Sequence, residues 1–511
     1  MAIDRDTPEG QVFYGLNRQL HERRTGRCGG KQWNREASRI DVARPGLDLL
    51  WDYFTGNPPL NRVHEGWKDY IRGYIRMGRL NAARLLVTST RNRMNLWGYM
   101  TAAAEDEAGD QAAENLLRAT GRGFIRDTHD FMLALGDGYV ICTPPETGRD
   151  AKRTYPVASA GDPRQVITAD DPLTGRPKYG LNLFRDEWDS ADFAYVYFPD
   201  GVIRRAIKQG TSTIRNTPFR LNDKSWSWDE TYGVNGNYTT PDGLFPIIHF
   251  ENEHGVGEFE EHLDHLDRIN DKIFNEWWTS KIQAFRQRAV KNLPDKDDDG
   301  ADIDYSNMFT ASPDEMWQVP GDVEFWESTP VDLNPIVTSI QKDLERLAAV
   351  AQQPLHTITP DAANGSAEGA SLMREEHLFK INDRIERVDP RHCDVMATLF
   401  AFAGDSERSD VTQIRTLWGP TERHALQAKA DAASKVKGIM PNEWIWTEIM
   451  QVHPSELPRL RTLMGRQRLD DVVALRAATV VPGQVRATQV PAPTPPAALP
   501  APAPPVEPAA S

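Results

Sequence analysis

The chain has 511 residues, a length that exceeds one ordinary hydrophobic core, so two to four packed units are expected. With 39% hydrophobic and 26% charged residues it carries enough apolar surface for a large core, which confines any disorder to local segments. A formal net charge of −15 argues against a protein that grips nucleic acid along a basic face, because tight binding needs phosphate neutralisation; it does not exclude one that DNA merely passes.

The first residues, Met1-Ala2-Ile3-Asp4-Arg5-Asp6, put acids where a secretory signal needs basic and then apolar residues. No apolar run approaches the roughly 18–20 residues of a membrane helix, so an intracellular protein is expected. From Trp67 to about Ala134 the spacing of Tyr70, Ile71, Tyr74 and Ile75, then Leu85, Leu86 and Val87, predicts several helices. Between Gly138 and Phe250 the pattern changes to short β-branched and aromatic runs: Tyr139–Cys142, Gln165–Thr168, Lys178–Phe184, Ala194–Phe198 and Val202–Ile207. Turn residues at Asp170–Gly175 and Pro199-Asp200-Gly201 separate them, which predicts an antiparallel meander.

From Phe259 onward, Phe259, Leu263, Leu266, Ile273, Trp277 and Ala284 form one narrow stripe. This predicts a helix of roughly 27 residues or more, about 40 Å long. An acidic loop at Pro294–Tyr305 and a short β-like stretch around Met316–Val323 follow. Asn334 and Pro335 predict the start of a second helix through Ile336, Ile340, Leu344 and Leu347, stopping at Pro354. Gly and Ala dominate Thr359–Ala370, a flexible loop. A third helix carries Leu372, Leu378, Ile381 and Ile385, is interrupted at Asp389-Pro390 and resumes over Val395–Phe402, as expected of one long helix with a proline kink. A smaller helical unit is predicted over roughly Pro420–Arg466. The Pro- and Ala-rich end, Pro491–Ser511, predicts an extended, disordered tail.

Several motifs have a chemical reading and a plain one. Cys28, Cys142 and Cys393 are too few and too far apart for a disulfide framework or a four-cysteine zinc site, and they suit a reducing compartment. Asp295, Asp297, Asp299 and Gly300 copy the first half of an EF-hand loop, but position twelve is Ser306, so a solvated acidic loop is the preferred reading over a divalent-ion site. Gly26–Lys31 resembles a phosphate-binding loop, yet Thr25 replaces its first glycine and Gln32 its Ser/Thr, which leaves a turn. His262 and His265 lie one turn apart without a third ligand, so a hydrated helix face is expected. The aromatic stretch from Trp226 and Trp228 to Tyr232 and Tyr238 reads as sheet packing before it reads as a sugar site. No Gly-x-Ser-x-Gly elbow or Cys–His nucleophile motif occurs, so an enzyme is unsupported and no cofactor is expected.

The order of β-rich region, long helix, acidic insert, second helix, Gly-rich loop, interrupted helix and small helical unit resembles the portal proteins of tailed bacteriophages. Gly161-Asp162-Pro163-Arg164-Gln165-Val166 with Tyr179–Asp186 is similar to the family's paired wing strands, and Gly243–Phe250 to the strand before its first stem helix. Leu266–Lys272 is similar to that helix. Gln427–Ala432, Lys435 and Gly438–Pro441 are similar to the crown.

The resemblance implies an α+β portal fold, with a wing at 1–256 and 369–404, stem helices at 257–290 and 331–353, a clip at 291–330 and a tunnel loop at 354–368. A crown at 405–480 and a tail at 481–511 complete it. It implies a homo-oligomeric ring of twelve at one capsid vertex, through which double-stranded DNA is packaged and ejected. The implied partners are the large terminase, head-tail adaptors, and the major capsid and scaffolding proteins, with no membrane. By the same likeness Lys342, Arg346, Gln352, Thr357, Asp361 and Asn364 are expected to line the tunnel, and Asp297, Asp298 and Asp299 to dock partners. Phe259, Leu263, Leu266, Ile273, Trp277, Ile336, Ile340, Leu344 and Leu347 are expected to pack subunit against subunit. The rival readings are another capsid or connector protein, and a metal-dependent phage nuclease or hydrolase.

Overall fold

A computed structural model of the chain describes residues 2–28, 31–32, 44–59, 75–104, 109–146, 152–186, 188, 190–209, 226–283, 288–292, 300, 324–327, 329–354, 367–422 and 425–479. Its contacts divide the chain into two units, Met1–Ser455 and Glu456–Ser511. The fold is α+β.

The first unit opens with helix α1 (Pro8–Thr25), an element the apolar spacing did not predict. Thr7 caps it by accepting from the Gly10 N–H, Pro8 takes the first helical position, and Gly26 ends it at φ 67. Phe13, Leu16 and Leu20 are buried and cover one face of an antiparallel sheet. That sheet is the expected meander: β6 (Val166–Asp170), β7 (Pro177–Asp186), β8 (Ala191–Tyr197) and β9 (Val202–Gln209), with β10 (Ser227–Trp228) and β11 (Asn237–Thr239) both paired to β9. The period of two puts Leu181, Leu183, Ala194 and Val196 under α1. Tyr197 and Ile203 pack into a second cluster, with Tyr195 against its edge. Gly175 at φ 62 and Asp200 and Gly201 at φ 60 and 68 make the two turns.

The strand at Tyr139–Cys142 does not belong to the meander. It lies in β4 (Asp137–Thr143), the centre of a separate antiparallel sheet between β12 (Ile247–Glu251) and β5 (Val157–Gly161). Both of its faces are covered: Val140 and Cys142 enter a helical core, while Tyr139 joins the cluster under the meander. That core gathers α2 (Leu47–Thr55), α3 (Ala82–Arg91) and α5 (Gly123–Leu135). Strand β3 (Leu96–Met100) and helix α4 (Gln111–Thr120) lie between α3 and α5 in sequence. The two-residue strands β1 (Arg27–Cys28) and β2 (Lys31–Gln32) follow α1. Gly136 ends α5 at φ 88, where a Cβ would sit 1.9 Å from the Gly255 carbonyl oxygen, so only glycine fits.

Helix α6 (Leu263–Gln283) has 21 residues, shorter than expected, because a 3-10 turn at Glu260–His262 precedes it and leaves Phe259 outside. Strands β13 (Arg288–Lys291) and β14 (Glu324–Glu327) pair antiparallel, and α7 (Asn334–Val350) follows. Leu333 holds the N-cap position of α7, one residue before the predicted Asn334. Helix α8 (Ala367–Ala403) is one element of 37 residues that contains Pro390. Strand β15 (Arg415–Trp418) then returns to pair with β3, and α9 (Leu426–Val436) ends without a buried residue. The second unit contributes α10 (Leu457–Thr479), which continues past the predicted Arg466 and exposes Leu469, Val472 and Val473.

Candidate functional site

The site is the helix pair α6–α7 with the end of α8 that closes on it. Gln283 at the end of α6 donates to the Val331 carbonyl just before α7, Lys272 reaches Ser339, and Arg268 reaches Asp343. These pairings run in opposite senses along the two helices, so α6 and α7 are antiparallel.

Asp343 fixes their register. Its side chain is 1% exposed and accepts from Lys272 Nζ at 2.7 Å, Arg268 Nε at 3.1 Å and Arg346 Nη1 at 3.1 Å. Burial alone raises the pKa of such a carboxyl, but hydrogen bonds and charge from Lys272, Arg268 and Arg346 outweigh it and hold Asp343 below the ordinary carboxylate range. The sequence signal was present in Arg268 and Lys272, four apart, and Asp343 and Arg346, three apart; only the helix register joins the two pairs.

A second buried cluster joins the pair to α8. Glu258, just ahead of α6, accepts from Lys380 Nζ at 2.5 Å and Arg384 Nε at 2.8 Å, and all three side chains are nearly inaccessible. Desolvation pushes the Glu258 carboxyl up, while Lys380 and Arg384 pull it down further, so it stays ionised. Lys380 also donates to the Ala351 carbonyl at 3.0 Å, and His377 Nδ1 to the Gln352 carbonyl at 3.1 Å. The C-terminal end of α7 is thus held by cationic and polar groups of α8, matching the negative end of the helix dipole.

The expected apolar seam divides in two. Phe259, Leu263, Leu266 and Leu347 are buried in the chain's own core, with Ile269, and cannot serve subunit packing; Ile340 is buried too. This corrects the expectation for Phe259, Leu263, Leu266 and Leu347, whose side chains are spent on the core they share with α2, α3 and α8. Ile273, Trp277, Ile336 and Leu344 remain partly exposed, with Ile273 and Leu344 packed against the edge of the same core. Ile273 and Trp277 line a groove of about 400 Å³ with Met77, Leu80 and Leu333. Nearby in the chain, Ile282, Trp326 and Val331 are exposed.

Lys342, Arg346 and Gln352, expected along the tunnel, are exposed. Thr357, Asp361 and Asn364 lie outside the described residues, as do Asp295, Asp297, Asp298 and Asp299 and the tail beyond 479. Among the described residues, no group of three or more His, Cys, Asp or Glu side chains is placed to hold a metal ion. His262 and His265 are half-buried, not on a hydrated face, and burial lowers both imidazole pKa values. Within the loop-like motif, Gly26 caps α1, Arg27–Cys28 form β1 and Lys31 opens β2, while Gly29 and Gly30 lie outside the described residues. Trp226 and Trp228 are sheet-packing residues that stand edge-on to Phe13.

No helix among the described residues is long and apolar enough to cross a membrane. No protein-family model matches the chain, and no curated protein matches it. Among solved structures, the chain is similar to a component of the neck of a native GTA particle computed with C12 symmetry, with 14% identity, a TM-score of 0.42, and coverage of 85% of this chain and 98% of that one. It is also similar to a component of the neck of an empty GTA particle computed with C6 symmetry, with 13% identity, a TM-score of 0.37, and coverage of 76% and 95%.

Proposed function

We propose that this chain is the subunit of a bacteriophage portal ring, a structural conduit at one capsid vertex for double-stranded DNA, with no chemistry of its own. The observation that carries the reading is the antiparallel helix pair α6–α7, closed at its far end by the β13–β14 ribbon around the insert 292–323. Two helices returning around an inserted ribbon are what the portal resemblance implies for stem, clip and stem. The partly exposed apolar residues on the far half of the pair, Ile273 and Trp277, would then meet a neighbouring copy. Lys342 and Arg346 would face the channel, where a protein of net −15 offers DNA few holding contacts.

On this reading the ring is a dodecamer, the acidic insert docks the packaging motor and head-tail adaptor, and the segment 355–366 lines the narrowest part of the tunnel. Electron microscopy of the purified chain tests it, because among the readings weighed only a portal demands a closed ring with a hole wide enough for a duplex. Rings whose mass is unchanged after Ile273→Asp and Trp277→Asp would remove the stem assignment.

A further inference from the structure

Helix α7 ends in a turn that favours glycine and carries glutamine instead. The Gln353 N–H donates to the Ala348 carbonyl at 2.9 Å and the Gln352 N–H to the Ala349 carbonyl at 3.3 Å, with Gln352 at φ 53. Those paired bonds are a Schellman closure, whose left-handed position is usually glycine. A Cβ disfavours that conformation by roughly five- to thirtyfold. Alanine and glutamine are also good helix formers, so the local preference of Ala351 and Gln352 is to continue the helix as far as the residue before Pro354.

What holds the turn is not local. Lys380 and His377 of α8 take the Ala351 and Gln352 carbonyls, and the Gln353 side chain is lodged on α3, accepting from Ser89 Oγ at 2.8 Å. Lys380 is itself anchored by Glu258. A strained residue kept in place by groups from two other helices is the arrangement of a held hinge.

We propose that Gln352 is a hinge, held in its left-handed turn by His377 and Lys380, which opens and frees the Gln352 and Gln353 amides when α8 shifts away from it. Its bearing on DNA passage rests on the portal reading. The hinge itself does not, so the two fail separately.

The test is amide hydrogen exchange on the purified full-length chain, followed in peptides covering 347–354 and, as a control for the fold, in β7 and β8. Gln352→Gly relieves the strain and should slow exchange at residues 352 and 353 by about fivefold. His377→Leu leaves the Glu258, Lys380 and Arg384 cluster intact and should speed exchange at the same amides, with the strands unchanged. Exchange that is unaltered or faster in Gln352→Gly would show that the turn is not strained and would overturn the hinge. Exchange unaltered in a folded His377→Leu would overturn the hold from α8, and if that variant does not fold, Gln352→Gly alone decides.

Discussion

His129 and His392 meet ring to ring in the core, Nε2 to Nε2 at 2.9 Å, and tie α5 to α8 two residues beyond Pro390. Both are fully buried, among Phe250, Trp418 and Tyr99. A His129 Nε2–H donor leaves the His392 Nδ1–H for the Tyr99 hydroxyl and the His129 Nδ1 lone pair without a partner. Both imidazoles are therefore neutral.

Burial, assisted by Arg91, pushes His129 down to about 3, and burial with His129 beside it holds His392 well below the ordinary value. An unfolded histidine takes up a proton near pH 6.5 and the folded pair does not, so stability falls as pH drops below about 6.5. At pH 5 the loss is about 2 kcal/mol per histidine. Thermal melts at pH 7 and pH 5 should show it, and the double variant His129→Leu, His392→Leu should flatten the dependence. An unchanged slope in that variant would contradict the neutral pair.

Asp343→Asn should destabilise the α6–α7 pair by about 2 kcal/mol, because it leaves Lys272, Arg268 and Arg346 facing one another, with part of the effect screened at their exposed ends. Arg346→Ala, removing the most exposed of the three, should change stability by less than about 0.5 kcal/mol. Urea unfolding of the two variants checks the difference. The Asp343 carboxyl is held low, so its contribution is present above pH 4 and is lost as pH falls through the folded value.

Glu258→Gln should cost about 3 kcal/mol or more, because Lys380 and Arg384 stay buried with their main counter-charge gone. Replacement of an exposed acid such as Glu345 should cost almost nothing. Melting temperatures of both variants at one pH and salt concentration give the comparison.

The two halves of the seam should separate in assembly assays. Leu266→Asp places a charge in the chain's own core and should abolish folding, whereas Ile273→Asp with Trp277→Asp should leave a folded chain of lower mass. Circular dichroism and sedimentation read the two effects. A folded, unchanged oligomer from the double variant would mean that the groove is not a subunit contact.

Local chemistry made much of this fold legible. Alternating strands with Gly and Pro turns predicted β6 to β9, Pro335 placed the start of α7 to within a residue, and the apolar spacing on both sides of Pro390 carried α8 through it. Long-range pairing was not legible. β15 joins β3 across about 300 residues of sequence, and β4 left the meander because both of its faces are buried, which alternation does not encode. The seam failed at Phe259 because periodicity does not distinguish a 3-10 turn from the helix after it, nor a face turned to the chain's own core from one turned to a neighbour. The clusters around Asp343 and Glu258 depend on helix register, and so appear only once α6, α7 and α8 are packed.

The most direct test is electron microscopy of the purified full-length chain with two-dimensional averaging of end-on views. The account predicts closed rings with rotational symmetry and a central hole wide enough for duplex DNA. A compact monomer, or an oligomer without a through-channel, at the concentrations where the chain is folded would contradict it.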